Sequence, residues 1–243
     1  MIADGNVSVS ALFQAGRLAD TLGALGADLR KDPTDVRKRT FLFELLCFTG
    51  DYDRAEKHLD FLGDGSEEAT LGAWLYRSAL HAERLRQGMF REGTVPRPPA
   101  GAPVPARVNG QPFATVSDAD PRIGARLEVF AAGQYTLIPF EHLQSVVLEA
   151  PRHLRDTLWA PARVLPGPAF KGGELGEVLI PALAPLTWQH PDDAVRLGRA
   201  TGWEEGDGGE IHPIGQKLLL AGEEEEIPFL ELRTLEFGAA QPD

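Results

Sequence analysis

The sequence predicts an α+β protein with a helical N-terminal part and a β-rich C-terminal part. Three observations support this class: an internal repeat with helical periodicity, a proline-dense stretch after it, and a run of short alternating apolar segments beyond that stretch. The 243 residues suffice for two modest domains at roughly 100 to 200 residues each. We expect helical hairpins over residues 1–93, a linker over 94–112 and a β-rich domain over 113–243.

Composition limits the kinds of partner that the chain can bind. Lys and Arg total 24 against 36 Asp and Glu, a formal charge of -12, which opposes binding to nucleic acids and anionic membranes. The single cysteine, Cys47, allows no internal disulfide, and we expect it to be an inert core thiol within an apolar run. Asp4 stands where a secretory signal carries positive charge, and no apolar run approaches the length of a membrane span. We expect a cytoplasmic protein.

The helical part contains a repeat of 34 residues. Gly16 and Gly50 are separated by that interval, and Leu12 aligns with Leu46 in the same frame. This is the period of tetratricopeptide repeats, in which a small residue at the turn lets two antiparallel helices approach. A third, shifted copy over 74–90 would place its turn at 88–90. The repeat therefore predicts TPR-like hairpins whose first helices span about residues 3–15, 37–49 and 75–87.

Stacked hairpins of this type leave a concave face lined by the first helix of each pair, where such domains bind peptides. By repeat geometry we expect six residues to face this groove: Phe13, Arg37, Phe41, Glu44, Phe48 and Ser78. The phenylalanines fit equally well as ordinary core residues, because core side chains follow the same helical spacing.

The prolines at 96, 98, 99, 103, 105 and 112 define the expected linker. They remove backbone donors and favour an extended, semi-rigid polyproline II spacer. A proline-rich docking motif is the alternative.

The remaining sequence reads as short strands with short helical insertions. Residues 127–130 and 135–138 predict a β-hairpin, followed by strands at 145–148, 162–165 and 176–180. Short helices are expected at 151–159 and from Pro191, and a last hairpin pairs 217–221 with 227–237. These elements predict a small, curled, mostly antiparallel sheet or barrel.

The sequence contains no recognisable catalytic motif. It lacks the paired histidines of a zinc protease, a phosphate-binding loop and a nucleophile elbow. Asp118, Asp120 and His142 could serve a small-molecule- or metal-binding enzyme, although turn-forming aspartates paired with Arg122 or Arg126 explain the same pattern. Glutamate runs at 204–210 and 223–226 are typical of solvated turns. We therefore expect a binding protein and assign no catalytic, cofactor or metal residue.

An ordered series of motifs in the C-terminal part resembles the ImpE, or TagJ, family of accessory proteins of bacterial type VI secretion systems. The motifs are DADPRIG from Asp118, YTLIPF from Tyr135, LRDTLWAPAR from Leu154, GEVLIP from Gly176, and RLGR, Trp203 and GQK beyond them. The resemblance implies a non-enzyme that contacts the small contractile-sheath subunit, the TssB-type protein, near the ATPase that disassembles contracted sheath. It supplies no catalytic or ligand residues.

These observations combine into a hypothesis of helix-in-groove recognition, in which the N-terminal repeats accept an amphipathic helix of the sheath subunit. Alternatively, the acidic C-terminal part contacts a basic partner, and binding then weakens steeply with added salt.

Overall fold

The computed structural model describes residues 8–97, 104–206 and 209–238. Its N-terminal part consists of consecutive helices, and its C-terminal part is built mainly from strands. The helices are α1 (Val9–Gln14), α2 (Leu18–Lys31), α3 (Val36–Phe48), α4 (Tyr52–Leu62), α5 (Glu67–Arg91) and the short α6 (Asp193–Arg196).

The turns of the first two predicted hairpins are confirmed. Gly16 separates α1 from α2 with φ 73°, and Gly50 separates α3 from α4 with φ 70°. Residues other than glycine rarely adopt this left-handed conformation, which explains why a glycine recurs at both turns. Side chains of Ser8, Asp35 and Asp51 accept hydrogen bonds from the first turns of α1, α3 and α4.

The third predicted hairpin is wrong. Helix α5 begins after the N-cap Ser66 and continues without interruption to Arg91, so the expected turn at Gly88 lies inside it. A mid-helix glycine costs about 1 kcal/mol relative to alanine, and burial of neighbours such as Phe90 offsets that cost. Helix α1 begins at Val9, and the expected helical residues before Ser8 lie outside the described residues. The TPR-like class of the hairpins stays a prediction.

The segment expected to be a linker contains a strand. β1 (Val104–Val108) pairs with strands on both sides, and its partner β2 (Gln111–Asp118) also begins inside the expected linker. Pro105 fits because it lies at a register shift between Val104 and Ala106, where no ladder hydrogen bond is needed from its nitrogen. The remaining prolines at 98, 99 and 103 lie outside the described residues.

Ten strands form a single antiparallel sheet in which the strand order differs from the order along the chain. In addition to β1 and β2 it contains β3 (Arg126–Ala131), β4 (Gln134–Pro139), β5 (Leu143–Leu148), β6 (Trp159–Pro166), β7 (Gly176–Pro181), β10 (Leu218–Ala221), β11 (Glu225–Pro228) and β12 (Thr234–Phe237). Their order is β11-β10-β2-β1-β12-β5-β6-β7-β3-β4. One face buries an apolar core that includes Val129, Val146, Ile180 and Leu235. The expected curled antiparallel sheet is present.

Local predictions in this part are confirmed for the β3–β4 hairpin and for strands β5, β6 and β7. The turn of the hairpin places Ala132 and Gly133 at positive φ, as a two-residue connection of the primed type requires. The expected helix at 151–159 is only a 3-10 turn, Leu154–Thr157. The expected strand at 227–237 is divided by a 3-10 turn, so β11 pairs with β10 whereas β12 lies between β1 and β5.

A two-stranded hairpin was not foreseen. β8 (Thr201–Glu205) pairs with β9 (Ile211–Gly215) as a separate sheet. Its strands carry the exposed Glu204 and Glu205, and clustered charge of this kind also marks an irregular turn. The sequence pattern therefore fits a charged strand and an irregular turn equally well.

The helical layer packs on the outer face of the curled sheet. A second apolar core joins helix residues such as Phe43, Leu46 and Leu80 to Phe130 and Trp159 of the strands. The two parts of the chain therefore share buried surface, and each helps to position the other.

Candidate binding groove

Three of the six predicted groove residues surround an open groove between α1 and α3. Phe13, Arg37 and Phe41 line it, and its volume is about 550 Å³. The remaining lining residues come from α1, from α2 behind it and from the start of α3: Ser8, Val9, Ser10, Leu25, Asp28 and Lys38. We call this site the α1–α3 groove.

The floor of the α1–α3 groove is apolar and fixed. The Phe13 and Phe41 rings meet edge to face, with centroids 5.2 Å apart and planes at 88°, an arrangement favoured by the ring quadrupoles. The Arg199 guanidinium lies 4.7 Å from the Phe13 ring centroid and donates to the carbonyl oxygens of Phe13 and Gln14. A residue of the C-terminal part thereby holds α1 in place.

The charged residues that line the groove are two cations, Arg37 and Lys38, and one anion, Asp28. Arg37 is exposed and forms no ion pair with any residue that the structure describes. Lys38 lies 3.7 Å from Asp28 and 3.6 Å from Asp35. Asp35 caps α3, and the hydrogen bond from the Lys38 backbone nitrogen is the main cause that lowers its pKa. The groove therefore combines an apolar floor with one cation, Arg37, that forms no ion pair within the described residues.

The other three predicted groove residues do not line an open surface. Phe48 is 1% exposed and belongs to the core shared with the sheet. Glu44 is buried, and its carboxylate accepts a 2.9 Å hydrogen bond from Arg155 of the C-terminal part. Ser78 is half-buried beside the tip of the β3–β4 hairpin at Gly133. The expectation was wrong for these residues because the sheet occupies the inner face that the repeat geometry left open.

A buried ion network joins the helical layer to the sheet. Arg86 of α5 donates two hydrogen bonds to the Glu128 carboxylate of β3, at 2.7 and 3.1 Å, and one to the Leu183 carbonyl oxygen at 2.9 Å. Lys217 bonds to the same Glu128 carboxylate and lies 2.7 Å from Asp118. Bidentate pairing of this kind orients both groups as well as neutralising them.

Further polar groups complete this network. Glu83 of α5 accepts hydrogen bonds from the Trp159 indole at 2.9 Å, from Arg86 at 3.2 Å and from the Gln87 amide. The Tyr135 hydroxyl donates to Glu128 at 2.8 Å. The buried carboxylates thus have several donors each, which is the condition for tolerating charge in a protein interior.

The pKa values of the two central carboxylates move in opposite directions. Burial raises the pKa of Asp118 to about 6, because Lys217 only partly compensates the lost hydration and Glu128 repels a second charge. Burial acts in the same sense on Glu128, yet Arg86 and Lys217 together lower its pKa to about 2. The excess negative charge of the cluster is therefore relieved at Asp118.

The residues proposed for the alternative enzyme have structural partners. The Asp120 carboxylate accepts from Arg122 at 2.7 Å, and Asp118 contacts Lys217. Each aspartate also accepts from a backbone nitrogen two residues ahead, as turn-forming aspartates do. His142 lies 3.8 Å from Glu141. Within residues 8–97, 104–206 and 209–238, no group of three or more His, Cys, Asp or Glu side chains is arranged to hold a metal ion.

Cys47 is buried as predicted, and burial raises the pKa of its thiol. Among the helices that the structure describes, none is both long enough and apolar enough to cross a membrane.

The fold defines a class of protein in which a short stack of helical hairpins packs on the outer face of a curled antiparallel sheet. The ImpE protein family matches residues 110–236 of this chain. The type VI secretion system accessory component TagJ of Pseudomonas aeruginosa is 33% identical over 263 aligned positions, which cover 93% of this chain and 89% of that protein. The chain therefore belongs to the ImpE family, as the motif series indicated.

The same fold is present in the crystal structure of protein VPA1032 from Vibrio parahaemolyticus. Its TM-score is 0.80 at 22% sequence identity, and the alignment covers 96% of this chain and 98% of that one. The helical layer and the sheet thus recur together in another protein.

Proposed function

We propose that this chain is a non-enzymatic accessory protein of a type VI secretion system that binds the small contractile-sheath subunit, the TssB-type protein. Membership of the ImpE family, with a relative named as an accessory component of that system, supports the secretion role. The α1–α3 groove is the observation that carries the mode of binding. Its apolar floor, which lies between two helices, suits one amphipathic helix of the sheath subunit.

In this proposal the partner contacts only those predicted groove residues that line the open α1–α3 groove. Phe41 and Phe13 supply the aromatic floor, and Arg37 supplies a charge at the rim that has no ion-pair partner among the described residues. A bound helix would place apolar residues at i, i+3, i+4 and i+7 against the rings, with an acidic residue near Arg37. We place this binding in the cytoplasm, near the ATPase that disassembles contracted sheath.

The test is calorimetric titration of the purified chain with its cognate small sheath subunit. Phe41→Ala should weaken binding at least tenfold, because truncating a central aromatic contact typically costs about 2 kcal/mol or more. Arg37→Glu reverses an exposed charge without touching the core, so it should weaken binding while leaving thermal stability unchanged.

Phe61→Ala is the matched control. Phe61 is also a partly exposed helical phenylalanine, lies outside the groove, and contacts the Arg39 guanidinium at 3.9 Å. Binding of Phe61→Ala should equal that of the unaltered chain. If folded Phe41→Ala and Arg37→Glu both bind the sheath subunit with unchanged affinity, the groove is not the docking site. A steep salt dependence with those two variants unaffected would instead favour the acidic C-terminal part.

A further inference from the structure

Helix α5 is the last helix of the stack. On the side that faces away from α4, the sheet covers only its C-terminal half. In its C-terminal half Ala82, Glu83 and Arg86 are buried against the sheet. In its N-terminal half an apolar stripe remains open, formed by Leu71, Trp74 and Leu75, which are 62%, 62% and 43% exposed. We call these three residues the α5 stripe.

The α5 stripe has the geometry of a helix-packing surface. Residues 71, 74 and 75 follow the i, i+3, i+4 spacing that puts side chains on one face of a helix. Ser78 continues this face one turn further and meets the β3–β4 hairpin, so the stripe extends an internal packing surface beyond the edge of the sheet. From Leu71 to Ser78 the surface is about 10 Å long.

Each earlier helix of the stack packs against its neighbours: α2 contacts α3, α3 contacts α4, and α4 contacts α5. Helical stacks of this kind normally end in a helix whose outer face is polar. Helix α5 instead presents a tryptophan and two leucines at that position. A contiguous apolar surface that includes tryptophan is typical of an interaction site, whereas isolated exposed leucines are not.

The charges around the α5 stripe define the chemistry of its partner. Glu67 and Glu68 lie one turn before Leu71 on α5, and Asp60 and Asp64 precede them in the chain; all four are exposed. Asp60 pairs with Arg77 at 2.6 Å. The other three form no ion pair with any residue that the structure describes. The N-terminal end of the stripe is therefore acidic, whereas the charge left open at the α1–α3 groove is the cation Arg37.

We infer that the α5 stripe is a second docking site, which binds a basic amphipathic helix of another protein in the place where a further helix of the stack would lie. Leucine-type side chains of that helix cover Leu71, Trp74 and Leu75, and its lysines or arginines lie against Asp64, Glu67 and Glu68. This surface is separate from the α1–α3 groove, and its partner is of opposite charge.

The test uses two synthetic helical peptides with leucine at i, i+3, i+4 and i+7, one carrying lysine and the other glutamate at the remaining positions. Trp74 reports binding directly, because burial shifts its emission to shorter wavelength. The lysine peptide should bind at least tenfold more tightly than the glutamate peptide at low salt. Its affinity should fall at least tenfold in Leu71→Ser/Leu75→Ser, and the emission shift should vanish in Trp74→Phe.

Leu85→Ser is the control for position along the helix, since Leu85 is a 41% exposed leucine on the same helix, about 15 Å beyond Leu75 and outside the reach of a peptide that covers the stripe alone. It should leave lysine-peptide affinity unchanged, as should Phe41→Ala, which separates this site from the proposed groove. Equal affinity for both peptides, or unchanged affinity in Leu71→Ser/Leu75→Ser, overturns the inference. Concentration-dependent dimerisation that this double variant abolishes, measured by sedimentation velocity, would assign the stripe to a second copy of the chain instead. Binding to phosphatidylglycerol vesicles that the double variant abolishes would assign it to a lipid surface.

Discussion

Replacing Arg86 with methionine should destabilise the folded protein by about 3 to 5 kcal/mol, the usual cost of breaking a buried ion pair from one side. The structure explains the size of this loss of stability. Arg86 is 1% exposed, and its loss removes two hydrogen bonds from Glu128, one from Glu83 and one from the Leu183 carbonyl oxygen. Lys217 remains as the only cation of the network for three buried carboxylates.

The measurement is urea unfolding followed both by helical circular dichroism and by tryptophan fluorescence. Because Arg86 joins α5 to β3, the two signals should still change in one transition, displaced to lower urea. Arg163→Met is the matched control, since its pair with Glu177 spans 3.4 Å and both side chains are mostly exposed, at 74% and 84%. That substitution should cost less than about 1 kcal/mol.

A second variant tests whether the unpaired Glu128 charge causes the loss of stability. Arg86→Met/Glu128→Met removes the charge that Arg86→Met leaves behind, and Lys217 keeps Asp118 as its partner. The double variant should therefore recover part of the stability lost in Arg86→Met, because apolar replacement of both partners is often close to neutral. If Arg86→Met is within 1 kcal/mol of the unaltered protein, or the double variant is the less stable of the two, the network does not join the two parts as described.

Two further predictions concern stability. Gly50→Ala should lower the unfolding free energy by about 2 to 4 kcal/mol, since a left-handed φ costs about 1 to 2 kcal/mol and the new methyl would approach the Trp188 ring within 2.6 Å. Gly88→Ala, in open space within α5, should raise the melting temperature slightly, and equal effects of the two changes would contradict this reasoning. Between the ordinary Asp118 pKa of 3.8 and its folded value of about 6, the folded state binds more protons than the unfolded state. The contribution of Asp118 to the unfolding free energy should therefore fall by an amount on the order of 2 kcal/mol as pH rises through that window. Asp118→Asn should remove this contribution in urea titrations at successive pH values, and matching profiles of the two proteins would refute the assignment.

Local conformational rules allowed part of the fold to be predicted. Glycines at 16 and 50 identify the helical turns because a left-handed residue is needed there, and the β3–β4 turn follows from the same rule at Gly133. The continuity of α5 could not be predicted in this way. Gly88 resembles a turn by sequence, and only contacts with the distant sheet make helix the better conformation there.

The same distinction between local and distant contacts applies to the six residues expected to face the groove. Phe13, Arg37 and Phe41 line an open groove that depends on the pairing of neighbouring helices alone, and their role in binding a partner stays a prediction. Phe48 and Glu44 are buried instead, and the partner that covers Glu44 is Arg155, more than a hundred residues away in sequence. The ion network had a recognisable signal, since Glu128 interrupts the apolar strand Arg126–Ala131 at a position where a charge requires a buried partner.

The two surfaces of the helical layer are expected to act independently. The α1–α3 groove depends on Phe13 and Phe41, whereas the α5 stripe depends on Leu71 and Trp74, and the two sets share no residue. Substitutions at well-separated sites without common partners add in free energy. Both surfaces nevertheless belong to a layer that the C-terminal part holds in one arrangement, through Arg199 at α1 and through the pair of Arg86 with Glu128 at α5. The two proposed sites together would hold an acidic-flanked helix and a basic helix at a fixed separation, which is the physical requirement for an adaptor between two components.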